Sequence, residues 1–204
     1  MATPPKNVDR RVQRTRQLLR QAFVEVAREK GLTAVSVQDI TERANIHRGT
    51  FYAHYEDKYA LVYSLIWEEV QHILSSKLPP VQQWDRWTLR LLICTTLENF
   101  KGVHRQCQPS AILDPLIELA TREVLTELLT TWLRQSKQTH WKMSPETMAR
   151  LMSWTIFGAA VQWSQETKRT AEQATNDVLL MITEGLTQLA PDALPDQSKR
   201  VSSI

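Results

Sequence analysis

Glycine is rare in this chain, with 5 in 204 residues, and that scarcity argues against a fold of short strands joined by tight turns. Cysteine is rarer still. Cys94 and Cys107 stand in neither a redox-motif nor a metal-ligand spacing, so the chain is expected to work reduced, with no bound metal. No apolar run approaches the length of a membrane span. The opening MATPPKNVDRR has no apolar core of the kind a secretory leader needs. A cytoplasmic protein with no membrane partner is the expectation. There is also no Gly-rich loop to cradle phosphate and no nucleophile with its base in a known motif. The sequence therefore nominates no catalytic residue and no cofactor, and argues against an enzyme.

What the chain does have is helical periodicity throughout. Its 204 residues can bury a substantial core in one or two domains. The expected fold is all-α, with a helix-turn-helix domain over 9–60, a helical domain over 61–190 and a polar tail over 191–204. Residues 1–8, with Pro4 and Pro5, are expected to be disordered. A first helix is predicted from Asp9 to Lys30, with Leu18, Leu19, Ala22, Phe23, Val26 and Ala27 at helical spacing and Gly31 as its stop. The net charge of +3 is modest but unevenly placed. Residues 1–60 carry 11 Lys and Arg against 7 Asp and Glu, and the remainder carries 14 against 15. The positive charge is densest at Lys6, Arg10, Arg11, Arg14, Arg16 and Arg20. Placed just before a helix-turn-helix, it would attract a phosphate backbone without reading sequence.

The stretch that organises the rest is VSVQDITERANIHRGTFYAHYEDK, from Val35 to Lys58. Ser36 offers a hydroxyl to the free N–H groups of a helix start, and Asp39 puts a carboxylate in the first turn, where the helix dipole favours it. Val37, Ile40 and Ala44 fall on one side of that helix. Asn45 tolerates left-handed or turn backbone. A second short helix follows, with Ile46 and Phe51 as its apolar anchors and His47, Arg48, Thr50, Tyr52 and His54 as polar groups around Gly49. Such a helix suits the major groove. Arg48 has the fork of donors that fits guanine O6 and N7, or a phosphate. Thr50 can reach a phosphate or a thymine methyl, and Gly49 permits close backbone approach. His47 is open to a base contact, a phosphate contact or plain exposure, and His54 to a DNA contact or packing against the first helix. The two histidines lie too far apart to share a metal ion without other ligands. Lys58 opens the next helix, where its ammonium and the free N–H groups suit a phosphate.

These residues resemble the DNA-binding domain of the TetR family (TetR/AcrR type) of bacterial transcriptional regulators. The resemblance rests on Val35-Ser36-Val37-Gln38-Asp39-Ile40-Thr41, on Ala44-Asn45-Ile46-His47-Arg48-Gly49-Thr50-Phe51-Tyr52-Ala53-His54-Tyr55, and on Lys58 and Leu61. It covers about a quarter of the chain and is highly specific. Thr41, Asn45 and Tyr55 stand where the family more often has Ala, Gly and Phe, and His47 where it has Ser. The resemblance implies that Ser36, Gln38, Tyr52 and His54 also approach DNA.

The second domain reads as a series of helices. One that starts after Glu56-Asp57 and runs to about Lys77 is long enough to leave the DNA-binding module as a lever, and Pro79-Pro80 ends it. The next, opened by Trp84 and Trp87, is expected to end near Lys101-Gly102. Pro115 is expected to break 110–119 into a short or kinked piece, with a separate helix over Thr121–Gln135. Ser144 with Pro145 marks a clear helix start, and Thr170 with Gln173 makes a capping box for the last helix. Small residues beside Phe157 and Gly158, flanked by Trp154 and Trp163, would let a second helix approach closely. In the family the last two helices form a four-helix bundle with those of a second copy, so the resemblance implies a homodimer through Trp154, Phe157, Gly158, Val161, Val178 and Ile182. It also implies a small-molecule effector, apolar or aromatic, in a pocket for which Trp84, Trp87, His104, Trp132 and Met152 are the candidates. The resulting expectation is a repressor that binds a palindromic, double-stranded DNA operator as a dimer and is released by an effector. The alternative is a helix-turn-helix adaptor acting through protein contacts.

Overall fold

Helix capping and apolar periodicity divide the chain into eight α-helices among the described residues of the computed structural model. Those residues are 10–79, 85–106, 110–136, 142–166 and 168–189, with the side chains of 103–106, 187 and 189 set aside. The helices are α1 (Arg10–Lys30), α2 (Val37–Ala44), α3 (Arg48–Tyr52), α4 (Lys58–Lys77), α5 (Arg86–Gln106), α6 (Leu113–Gln135), α7 (Pro145–Gln165) and α8 (Ala171–Leu189). A 3-10 turn, Leu32–Ala34, joins α1 to α2. The all-α expectation holds. Residues 1–8, Asp9, Trp84, Cys107, the tail 191–204 and the side chain of His104 lie outside the described residues.

The chain forms two compact units, Met1–Leu65 and Ile66–Ile204, and the division falls within α4. In the first unit α1 packs on α2, and α2 on α3. Leu19, Phe23 and Val26 of α1 are buried, as are Val35, Ile40, Phe51 and Leu61. Gly31 takes φ 79°, a conformation that favours glycine, and lets the chain turn out of α1. Asp57 caps α4 by accepting from the Ala60 N–H at 2.7 Å.

In the second unit α7 is central, packing against α5, α6 and α8. Ser144 caps it by accepting from the Thr147 N–H at 3.2 Å, with Pro145 at its first position. At the start of α8, Thr170 and Gln173 form the reciprocal pair of a capping box, 3.2 and 3.0 Å. Two expectations need correction. α5 does not stop at Gly102 but continues to Gln106, because an exposed helical glycine costs only about 1 kcal/mol relative to alanine. Pro115 does not break 110–119 from 121–135. It is the third residue of one continuous α6, in the first turn, where an N–H would have no partner within the helix. Ser110 supplies the missing start signal, its hydroxyl oxygen accepting from the Leu113 N–H at 3.2 Å.

Candidate nucleic-acid interface

Local backbone chemistry sets the turn between α2 and α3. Ser36 accepts from the Asp39 N–H at 3.1 Å, and Asp39 accepts from the Ser36 N–H at 3.0 Å, so a full capping box starts α2. Asn45 takes left-handed φ 52°, ψ 48°, and its N–H returns to the Glu42 carbonyl. Ile46 then donates to Thr41 O at 2.9 Å. His47 is the N-cap of α3. Its carbonyl accepts from the Thr50 N–H at 2.8 Å, and its Nδ1 accepts from the Gly49 N–H at 3.2 Å.

Phe51 anchors α3 from beneath. It is fully buried and meets Tyr52 edge-on, with ring centroids 5.5 Å apart. Anchored there, the helix leaves His47, Arg48, Gly49, Thr50 and Tyr52 exposed. Arg48 donates to the Tyr52 hydroxyl at 3.1 Å, with its guanidinium 5.6 Å from the ring centroid, so each side chain limits the other's freedom. Ser36 and Gln38 are exposed at the front of α2, and Gln38 donates to Glu42 at 2.8 Å. His54 is half-buried just past α3. Lys58 donates to the carbonyls of Thr33 and Val35 at 3.1 and 2.7 Å. It thereby ties the start of α4 to the segment entering α2.

Charges along the seam between α1 and α2 are paired. Lys30 meets Asp39 at 2.5 Å, and Arg43 meets Glu29 and Glu25 at 2.7 and 3.3 Å. The Lys30 ammonium, and after it the hydroxyl and N–H of Ser36, hold the Asp39 carboxyl well below the usual carboxylate range. Glu29 and then Glu25 push the Arg43 guanidinium higher still. Arg10, Arg14 and Arg16 remain exposed on α1. Arg20 instead turns to the fold, donating to the Tyr55 hydroxyl at 3.2 Å. That bond gives the Tyr55 hydroxyl a partner inside the first unit. Sequence reasoning missed the capping role of His47, the carbonyl contacts of Lys58 and the Arg43 clamp. The only available signal for His47 was its place one residue after Asn45-Ile46, where an N-cap is due.

The described pocket candidates in the second unit, Trp87, Trp132 and Met152, differ in burial. Trp132 and Met152 are buried in one hydrophobic cluster, whereas Trp87 is 56% exposed. Met152 also borders a groove of about 130 Å³ with Met143, Met148 and Met181, well below the roughly 300–1,000 Å³ of common ligand cavities. Of the dimer candidates, Phe157, Val178 and Ile182 are buried within their own chain, and Phe157 packs edge-on against Phe100 at 5.3 Å. Trp154 and Gly158 are exposed and Val161 is half-buried. The indole of Trp154 carries the Arg122 guanidinium at 3.6 Å and borders a groove of about 320 Å³ between α7 and α8. Leu151 and Met181 are also exposed on these two helices. Among the described residues no group of His, Cys, Asp and Glu could hold a metal ion, and no helix is long and apolar enough to cross a membrane.

Comparison with known proteins gives consistent matches. A family model described as bacterial regulatory proteins, tetR family, matches residues 19–65. The HTH-type transcriptional regulator YxbF of Bacillus subtilis (strain 168) is 41% identical over 70 residues, which is 34% of this chain and 18% of that protein. The HTH-type transcriptional regulator YvdT of the same organism is 32% identical over 103 residues, 48% of this chain and 53% of that one. The chain thus spans under a fifth of the first relative and about half of the second. Among solved structures, the R. erythropolis transcriptional repressor QsdR, from the TetR family, aligns over 86% of this chain and 96% of its own, with TM-score 0.56 and 13% identity. At that identity the likeness is one of fold.

Proposed function

We propose, from the match of residues 19–65 to the tetR family model, that the chain is a TetR-family regulator which binds a palindromic operator as a homodimer and represses transcription until an effector releases it. The observation that carries the reading is the face formed by His47, Arg48, Gly49, Thr50 and Tyr52, all exposed on a helix capped at its start and anchored by buried Phe51. Groups held in this way lose little freedom on docking. Arg48 reaches a guanine edge or a phosphate, Tyr52 and Thr50 reach phosphates, and Arg10, Arg14 and Arg16 add sequence-independent attraction. Ser36, Gln38 and His54 complete the contact set. Lys58 has one ammonium proton beyond its two carbonyl bonds to offer a phosphate.

A two-fold dimer places two such helices about 34–36 Å apart, the spacing of successive major grooves. The exposed Trp154, Gly158, Leu151 and Met181 on α7 and α8 are the face proposed to meet a second copy. An apolar or aromatic effector bound in the second unit, against Trp132 and Met152, has to part side chains that are buried without it. It shifts the population only through its different affinity for the two states. The protein is placed in the cytoplasm with its DNA.

Selection of binding sites from random duplex DNA, followed by sequencing, tests the reading. An enriched inverted repeat supports operator binding and two-fold symmetry together. Absence of enrichment at low salt rejects it and favours the adaptor role.

A further inference from the structure

The two nitrogens of His47 are not equivalent. Nδ1 accepts from the Gly49 N–H at 3.2 Å. A neutral imidazole has one acceptor nitrogen and one donor, so an accepting Nδ1 puts the proton on Nε2. The two nitrogens diverge across the ring. With Nδ1 turned to the start of α3, Nε2–H turns away from it, and the side chain is exposed. A serine or asparagine at this position would cap the helix equally well. Neither would project a rigid donor so far beyond it, since a serine hydroxyl in use as a cap stays against the backbone.

We propose that His47 is a specificity-determining residue, capping the recognition helix with Nδ1 and donating from Nε2 to a purine N7 once in each operator half-site. This rests on the operator-binding reading above and adds the chemistry of one position to it. Purine N7 is an acceptor displayed in the major groove by both adenine and guanine, so one donor at that point separates purines from pyrimidines on that strand. The neighbouring charged groups each have a partner of their own. On α3, Arg48 is bonded to Tyr52. On α2, which packs against α3, Asp39 is bonded to Lys30 and Ser36, Glu42 to Gln38, and Arg43 to Glu25 and Glu29.

The test compares wild type with His47→Ser, which keeps a capping side chain and removes the Nε2 donor. Both are put through site selection, with thermal unfolding to show that the fold is kept. The expected result is an inverted repeat for both proteins, with a purine preference at one position per half-site in wild type that His47→Ser loses, a change of about fivefold. Replacing that purine by its 7-deaza analogue should weaken wild type and leave His47→Ser unchanged. Identical preferences at every position would overturn the proposal and reduce His47 to a cap. Uniform weakening with the preferences intact would overturn it equally, by assigning His47 to a phosphate. No repeat from wild type would reject the operator reading itself, which separates the two failures.

Discussion

Gly49 and His47 constrain each other before any DNA is present. A Cβ on Gly49 would lie 3.3 Å from His47 Nδ1 and otherwise meet only Cε1 of the same ring, at 3.9 Å. Elsewhere in a helix, glycine to alanine is stabilising by up to about 1 kcal/mol. Gly49→Ala should therefore raise the melting temperature in a His47→Ser background and fail to do so in wild type, measured by circular dichroism. An equal gain in both backgrounds would show that the imidazole yields without cost. Lys58→Ala should act twice, because the ammonium holds the carbonyls of Thr33 and Val35. A stability loss of about 1 kcal/mol should accompany weaker operator binding, whereas a phosphate-only lysine would change binding alone. At this scale the sequence exposed which side chains cluster, as the donors around Gly49 do. Their tasks were hidden, because capping and carbonyl contacts depend on backbone positions that spacing does not reveal. Arg43 reaches Glu25 and Glu29 across 18 and 14 residues, and no helical periodicity connects them.

Elements were legible where punctuation was strong. Ser144-Pro145, Thr170 with Gln173, and Ser36 with Asp39 each start a helix in the structure as their hydrogen-bonding chemistry requires. Glycine and proline misled where their cost was small. Gly102 lies inside α5, and Pro115 sits in the first turn of α6, where its missing donor does no harm. The start of α2 also carries a pH dependence. Asp39 has a depressed native pKa, held down first by Lys30 and then by Ser36. Such a carboxylate contributes stability that is complete above its unfolded value, near pH 4, and is lost as pH falls through the native value. Asp39→Asn should therefore melt at a lower temperature than wild type at pH 7, and the gap should close as the pH drops below about 4. A gap independent of pH would mean that the carboxylate's charge does not matter to α2.

For the whole molecule, the question is what covers the outer side of α7 and α8. Met181 is 60% exposed and Leu151 is 54% exposed, a poor arrangement for apolar side chains left in water. Met181→Arg should weaken self-association about thirtyfold, with a monomer appearing in sedimentation velocity and operator affinity falling with it. Unchanged mass would place the interface elsewhere. The all-α architecture was legible from periodicity. The face proposed to meet a second copy was not, because Phe157, Val178 and Ile182 have the apolar character of an interface yet are buried in their own chain. The division of the chain within α4 has an optical consequence as well. All four tyrosines, Tyr52, Tyr55, Tyr59 and Tyr63, fall in the first unit, and all seven tryptophans, from Trp67 to Trp163, in the second. Fluorescence excited at the red edge of the indole band, where tyrosine does not absorb, therefore reports on the second unit alone and needs no added label.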